Sequence, residues 1–182
     1  MLNIYYDKFK GNTLSNCDWY FQDHKVGLDI DDVLSDFCPY YCSIFSMPQP
    51  KFWNFDRQAT DRFSRLTYDK DFWLNIPVKT NPDSIKFEPH CYITSRSIPK
   101  EWTEQWLDEN GFATVPVYQV GIDGSKSEIA LKSGIDIFID DRFNNFVELN
   151  RAGIFTYLFD APHNRRYDVG KYRIYNVNDI LI

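Results

Sequence analysis

The chain of 182 residues has little of what builds a zinc site or a disulfide framework. It contains four cysteines, which form no CxxC pair, and three histidines, which are scattered. We therefore expect no zinc site and treat all the thiols as reduced. Cys38 and Cys42 are four residues apart and share one helical face, where the simplest explanation is burial as small hydrophobic side chains.

Long apolar runs and excess positive charge are also missing. No stretch approaches the run of about 18 apolar residues that a membrane span needs, and the N-terminus lacks the basic-then-apolar order of a signal peptide. We therefore expect a cytoplasmic protein with no membrane partner. The net charge of −6 argues against binding a long polyanion, so nucleic acid is not an expected partner.

The residues that are present predict an α/β protein with a Rossmann-like, three-layer parallel sheet. Hydrophobic residues make up 43% of the chain, enough for one domain with a real core. Continuous apolar runs alternate with amphipathic helical stretches, a pattern typical of a parallel sheet covered on both faces. The predicted strands are 26–30, 90–95, 114–120, 135–141 and 154–160. Helices are predicted over 99–112, 125–134 and 143–153, and a short hairpin within 1–24.

Residues 34–89 interrupt this alternation. Most of the segment is rich in proline and aromatic residues, has short helical stretches and contains no run that would fill the middle of a sheet. The sequence therefore predicts a core of residues 1–33 and 90–182, with 34–89 as a small helical insertion after the first strand.

Polar side chains collect where the predicted strands end. Asp29 and Asp31 lie at the end of the first strand, Thr94 and Ser95 end the second, and Asp140 ends the fourth. Ligands of open α/β sheets bind at the carboxyl ends of the strands. Carboxylates that converge there repel each other unless a cation joins them, and the oxygen-seeking Mg²⁺ is the natural one.

Four short motifs resemble those of the haloacid dehalogenase superfamily of phosphotransferases. "DIDDV" is similar to its first motif, DxDx(T/V), "YITS" to its second, Lys126 in "GSKSEIA" to its third and "IFIDD" to its fourth. The motifs keep their order and spacing over residues 26–141. One DxD alone is weak evidence, but four motifs in order are specific.

The resemblance implies a magnesium-dependent phosphatase. Asp29 is implied as the nucleophile that takes the phosphoryl group, and Asp31 as the general acid and base. Mg²⁺ is implied to bind Asp29, the backbone carbonyl of Asp31, and Asp140. The implied phosphate-binding residues are Thr94, Ser95 and Lys126.

Each of these residues also has a purely structural explanation. The aspartates could form turns at the strand ends, and Thr94 or Ser95 could cap the helix that follows. Lys132 is a rival of Lys126, but it lies in the last turn of its predicted helix, where a cation is expected in any case. Asp141 and Arg142 could merely support Asp140.

Further stretches are similar to the 5'(3')-deoxyribonucleotidase family, of the cytosolic pyrimidine type, and to its phage and bacterial relatives. These are "KDFWLNIPV", "ITSRS" and the tail "LFDAPHNRRYDVGKYRIYNVNDIL". The resemblance implies that the insertion is a cap over the active site and that the substrate is a nucleoside monophosphate, with a deoxyribonucleotide as in that family.

Aromatic residues of the insertion could stack on a nucleobase. The substrate-binding candidates are Phe52, Trp53, Phe72 and Trp73. The alternative is that most of them form the core of the insertion, and for Phe72 and Trp73 the sequence leaves both roles open. Arg96, directly after the second motif, is expected to reach phosphate or sugar.

Two alternatives to a 5'-nucleotidase remain. One is a phosphatase for another small phosphoester or for a nucleic-acid 3'-phosphate end. The other is a non-catalytic binding module that keeps the fold.

Overall fold

The computed structural model describes residues 24–53, 56, 58–121 and 124–181, and its centre is a parallel sheet. The hairpin predicted within residues 1–24 falls outside these ranges, apart from residue 24. The strands of the sheet are β1 (Val26–Leu28), β2 (Cys91–Thr94), β3 (Val117–Gln119), β4 (Ile137–Asp140), β5 (Phe155–Phe159) and β6 (Arg173–Ile174). Their order is β3-β2-β1-β4-β5-β6, and every pair of neighbours is parallel.

The five predicted strands are confirmed with narrower bounds, and the two-residue β6 was not anticipated. β1, β2 and β4 are buried along their whole length, as continuous apolar runs predict for central parallel strands. Gly27 in β1 is required by packing, because a Cβ there would lie 2.6 Å from the ring of Phe138 on the neighbouring strand. The predicted α/β class with a parallel sheet is therefore confirmed.

Helices cover both faces of the sheet. In the described chain they are α1 (Phe37–Ile44), α2 (Ala59–Leu66), α3 (Lys70–Leu74), α4 (Lys100–Glu109), α5 (Lys126–Lys132) and α6 (Phe143–Arg151), with short 3₁₀ turns at 82–84, 170–172 and 177–181. Trp106 of α4 joins the core on one face, while Ala130 of α5 and Leu149 of α6 pack with Phe138 on the other. Gly111 ends α4 at a φ of 77°, the left-handed conformation that favours glycine after a helix.

The insertion between β1 and β2 carries α1, α2 and α3 and has its own apolar cluster. The cluster contains Tyr41, Cys42, Leu66, Phe72, Trp73 and Ile76, together with Ile98 from beyond β2. The segment that leads from the insertion back towards β2 is bonded to the chain after β1, since the backbone N–H groups of Lys79 and Thr80 both donate to the carbonyl of Leu34. Pro39 is the third residue of α1, near the helix start, where proline is tolerated.

Candidate active site

The candidate site lies where the strand order reverses, between β1 and β4. Chains leave these two strands in opposite directions, and the crevice at such a point is the usual ligand site of an open α/β sheet. Asp29 follows β1 directly, and its N–H donates to the carbonyl of Ile139 at 3.0 Å. Asp140 is the last residue of β4. The sheet therefore brings the two aspartates of separate motifs to one edge.

Lys126 joins these aspartates. Its Nζ lies 2.7 Å from Asp29 Oδ2 and 2.8 Å from Asp140 Oδ2. The lysine is 1% exposed and is the first residue of α5, which Ser125 caps by accepting the N–H of Glu128. Burial by itself lowers the pKa of Lys126, but the carboxylates of Asp140 and Asp29 outweigh it and raise the pKa above its usual value. The two carboxylates therefore favour the charged form of Lys126.

Backbone and amide donors fix the two carboxylates. Asp29 Oδ1 accepts the N–H of Ile30 at 2.7 Å. Asp140 Oδ1 accepts the N–H of Arg142 at 2.8 Å, and Asn145 Nδ2 lies 3.1 Å from both Asp140 oxygens. Sequence reasoning missed Asn145, although its place five residues beyond Asp140, early in the next helix, was a usable signal. These donors hold the carboxylates in a single orientation toward Lys126.

Asp141 adds a third carboxylate to this centre. Asp29, Asp140 and Asp141 are all buried, and each offers an oxygen within 4.8 Å of the others. Burial, and next the charge of Asp140, raise the pKa of Asp141 to about 8. Burial also raises the pKa of Asp29 well above its usual value, against the opposing effect of Lys126. Three carboxylates facing one lysine suit a hard divalent cation, because the donors are all oxygens and the negative charge is in excess.

Arg96 contacts the other aspartate of the first motif. Its Nε lies 3.0 Å from Asp31 Oδ2, and its Nη2 lies 2.7 Å from Asp31 Oδ1. The hydroxyl of Ser35 donates to the same Oδ1 at 2.8 Å. Sequence reasoning expected Arg96 to reach phosphate or sugar, whereas the structure pairs it with Asp31. The Nη1 of Arg96 is buried with no hydrogen-bond partner among the described residues.

Thr94 and Ser95 lie at the end of β2, as predicted. Thr94 is fully buried, and its hydroxyl accepts the backbone N–H of Arg96 at 3.2 Å. It does not cap α4, whose N-cap residue is Pro99. Ser95 is half-buried beside it. The hydroxyl of Thr94 therefore shapes the loop that carries Arg96.

The aromatic candidates separate into two pairs. Phe72 and Trp73 are 5% and 4% exposed and pack in the cluster of the insertion, and the indole N–H of Trp73 donates to the carbonyl of Leu66. Phe52 and Trp53 are 46% and 41% exposed. The structure thus assigns Phe72 and Trp73 to the core and leaves Phe52 and Trp53 at the surface.

The second pair lines a cavity of about 230 Å³, whose wall includes His163, 2.8 Å from Asp141. Its other lining residues come from the start of α6 and the loop after β5: Arg142, Phe143, Asn144, His163, Asn164, Arg166 and Tyr167. The guanidinium carbon of Arg142 lies 4.9 Å from the ring centroid of Trp53, and Phe143 stacks on Tyr167 at 3.7 Å. Arg142 and Tyr167 escaped the sequence analysis as lining residues, because only the fold places their loops together.

Sheet and site together define an α/β protein with a buried lysine–carboxylate centre at the point where a parallel sheet reverses its strand order. A search of protein-family models and a search of curated proteins both found no match to this chain. Among the residues that the structure describes, no helix is both long and apolar enough to cross a membrane.

Proposed function

We propose that this protein is a magnesium-dependent phosphomonoesterase of the haloacid dehalogenase type, acting through an aspartyl-phosphate intermediate. The observation that supports this proposal best is the position of Lys126, whose Nζ lies within 2.8 Å of both Asp29 and Asp140. A lysine buried between two aspartates from different strand ends can bind phosphoryl oxygens and stabilise charge as it develops.

Asp29 is the proposed nucleophile. Its carboxylate oxygen forms a bond to phosphorus while the bond from phosphorus to the ester oxygen breaks, and water later cleaves the acyl phosphate. The attacking form is the ionised carboxylate, which Lys126 stabilises at 2.7 Å. The backbone N–H of Ile30 holds the other oxygen, so that the carboxylate keeps one orientation.

Asp31 is the proposed proton donor to the leaving oxygen, and afterwards the base that takes a proton from water. Arg96 and Ser35 hold its carboxylate at the mouth of the site, where the side chain of Asp31 is 23% exposed. We assign Arg96 as a positioning residue of this acid. The expected contact of Arg96 with phosphate or sugar stays a prediction beside this role.

Magnesium fits the oxygen donors of the centre. Asp29, Asp140 and the backbone carbonyl of Asp31 would hold the ion, and Asp141 is a further carboxylate within reach. When bound, the ion would neutralise negative charge on the phosphoryl group. Thr94, Ser95 and Lys126 remain the proposed phosphate-binding residues.

A nucleoside monophosphate is the proposed substrate, and the insertion is the proposed cap. The cavity of about 230 Å³ that Arg142 and His163 line has exposed aromatic walls, including Phe52 and Trp53. Flat rings are what a nucleobase stacks on, at about 1 to 3 kcal/mol per base. We therefore place the base against Phe52 and Trp53, and not against the buried Phe72 and Trp73.

A phosphate-release screen tests the proposal. Purified protein is assayed with nucleoside 5'- and 3'-monophosphates, sugar phosphates and a 3'-phosphorylated oligonucleotide, with Mg²⁺ and with a chelator. We expect Mg²⁺-dependent release that is fastest for a nucleoside monophosphate and is abolished by Asp29→Asn in a folded protein. Phosphate release at the wild-type rate by Asp29→Asn would rule out Asp29 as the nucleophile. If the folded wild-type protein releases phosphate from none of these substrates, the alternative of a non-catalytic binding module is favoured.

A further inference from the structure

A second cluster of metal-ligating side chains lies next to the carboxylate centre. Asp32, Cys38 and His163 are all buried, and each offers one ligand atom within 4.8 Å of the others. The three residues are a carboxylate, a thiol and an imidazole. None of them has a role in the proposed phosphatase chemistry, and in the sequence His163 is far from the other two.

Local structure explains how Asp32 and Cys38 meet. Asp32 adopts a φ of 59° in the turn after β1, a conformation that most side chains avoid. Its Oδ1 accepts the backbone N–H of Cys38, the second residue of α1, at 2.9 Å. Aspartate is one of the few residues other than glycine that tolerate this conformation. The turn therefore carries a carboxylate that reaches the start of α1.

His163 approaches from the loop after β5 and is 2% exposed. Its Nε2 lies 2.8 Å from Asp141 Oδ2. Nevertheless, neither ring nitrogen has a hydrogen bond of acceptable geometry to the described residues, and neither has Asp141 Oδ2. At 2.8 Å this contact with a buried carboxylate partners Nε2, so the nitrogen that lacks a partner is Nδ1. Buried polar atoms are nearly always bonded, so an unbonded Nδ1 indicates a missing ligand.

Buried carboxylates lie on two sides of the imidazole. Asp32 belongs to the cluster, and Asp141 Oδ2 lies 2.8 Å from His163 Nε2. The ammonium of Lys79 lies over the ring of Phe159, 5.3 Å from the centroid. A bound cation would stabilise the ionised carboxylate and thiolate together.

We propose that Asp32, Cys38 and His163 form a binding site for Zn²⁺, separate from the magnesium centre. Thiolate, imidazole and carboxylate are the ligands that zinc takes, whereas magnesium takes oxygen alone. The thiol of Cys38 gives up its proton to solvent as the sulfur–zinc bond forms. His163 also lines the cavity beside Trp53, which provides a path for the ion. Asp141 is placed as an outer carboxylate that orients the imidazole.

Cobalt is the probe, because a thiolate bound to Co²⁺ gives an intense charge-transfer absorption in the near ultraviolet. The full chain, stripped of metal and kept reduced with excess Mg²⁺, is titrated with Co²⁺ and then with Zn²⁺. We expect the band to saturate at one Co²⁺ per chain and to disappear as Zn²⁺ displaces it. Asp29→Asn should leave the band unchanged, so this test is independent of the proposed phosphatase activity.

Variants identify the ligands. Cys38→Ser should abolish the band, and His163→Gln should weaken Zn²⁺ binding by about a hundred-fold or more, beyond the cost of losing an outer partner. Cys42→Ser is the matched control, because Cys42 is buried on the same helix but lies outside the cluster. Cys17→Ser and Cys91→Ser complete the set, and all three controls should retain the band.

Several results would overturn the proposal. They are a wild-type protein without the band, a band that persists in Cys38→Ser, and a band that is lost in Cys17→Ser or Cys42→Ser. Circular dichroism checks that each variant is folded. If Cys38→Ser does not fold, unchanged Zn²⁺ affinity in both His163→Gln and Asp32→Asn would equally refute the site.

Discussion

Arg96 forms a two-pronged ion pair with Asp31, although the two residues are 65 positions apart. The side chain of Arg96 is fully buried. Its guanidinium carbon lies 5.1 Å from the ring of Trp73, in the insertion, and 5.6 Å from that of Trp106, on α4. The proposed acid is therefore held by a residue whose own position depends on the packing of the insertion against the core.

Replacement of Arg96 tests this positioning role. Arg96→Lys keeps the charge but loses the planar fork that binds both oxygens of Asp31. We expect kcat for the best phosphate ester to fall about ten- to hundred-fold, because small displacements of a catalytic group are costly, with little change in KM. Arg62→Lys is the control, since Arg62 pairs with Asp56 in the insertion. A large rise in KM with unchanged kcat would instead indicate that Arg96 contacts the phosphate or sugar of the substrate.

Removal of Lys126 should destabilise the protein. Lys126→Met leaves Asp29 and Asp140 buried without their cation, a change that costs about 3 to 5 kcal/mol for a buried pair. Thermal or urea unfolding would measure the loss, and added Mg²⁺ should restore part of it by binding the folded state. Lys132→Met is the matched control, because Lys132 is exposed on the same helix and pairs only with Glu128 at its surface in the described structure. Equal stability of the two variants would contradict the burial argument.

Aromatic substitutions separate base recognition from packing. Trp53→Ala should lower kcat/KM for nucleoside monophosphates about ten- to hundred-fold, the kinetic equivalent of a lost stacking contact of about 1 to 3 kcal/mol. Glycerol phosphate, which has no ring, should be turned over as before.

Phe72→Ala is the comparison, because Phe72 is 5% exposed within the insertion. It should cost about 3 to 5 kcal/mol of stability and affect both substrates alike. If Trp53→Ala lowers the activity on nucleoside monophosphates and on glycerol phosphate equally, the proposed stacking of the base on Trp53 is refuted.

Stability of the metal-free protein should fall with rising pH above about pH 6.5. Burial raises the pKa of Asp32 to about 7 and that of Asp141 to about 8, from 3.8 in each case. The folded protein therefore keeps protons that the unfolded chain has released, so its stability falls as the pH rises from about 4 and levels off once the pH has passed 7 for Asp32 and 8 for Asp141. The slope for each group reaches about 1.4 kcal/mol per pH unit at most.

His163 acts in the opposite direction but only at lower pH. Burial lowers its pKa below 6.5, so His163 adds little pH dependence once the unfolded imidazole has lost its proton, above about pH 7.5. Thermal unfolding in chelator between about pH 7 and 8.5 therefore reports mainly on the carboxylates. Asp32→Asn should reduce the pH dependence to the part that Asp141 contributes, and saturating Mg²⁺ with Zn²⁺ should flatten that of the wild type. A melting temperature that rises with pH in chelator would contradict the assignment.

Local pattern alone predicted much of the fold and part of the site. Apolar runs of strand length, alternating with amphipathic helices, specified the five main strands and the α/β class, because burial in a parallel sheet requires such runs. The strand ends predicted that Asp29 and Asp140 would meet at one edge of a sheet, whereas Lys126 entered through the resemblance of the motifs. These are short-range rules of periodicity and connection, and they are visible in the order of residues.

Only the tertiary structure decided which side chains share a contact across that edge. The pairing of Arg96 with Asp31, the burial of Phe72 and Trp73 apart from Phe52 and Trp53, and the approach of His163 to Asp32 and Cys38 all depend on how distant loops pack. No local pattern encodes these contacts, because they arise when the insertion and the loop after β5 close over the sheet. Sequence periodicity fixes which face of an element is buried, whereas the partner it meets there depends on the packing of the whole chain.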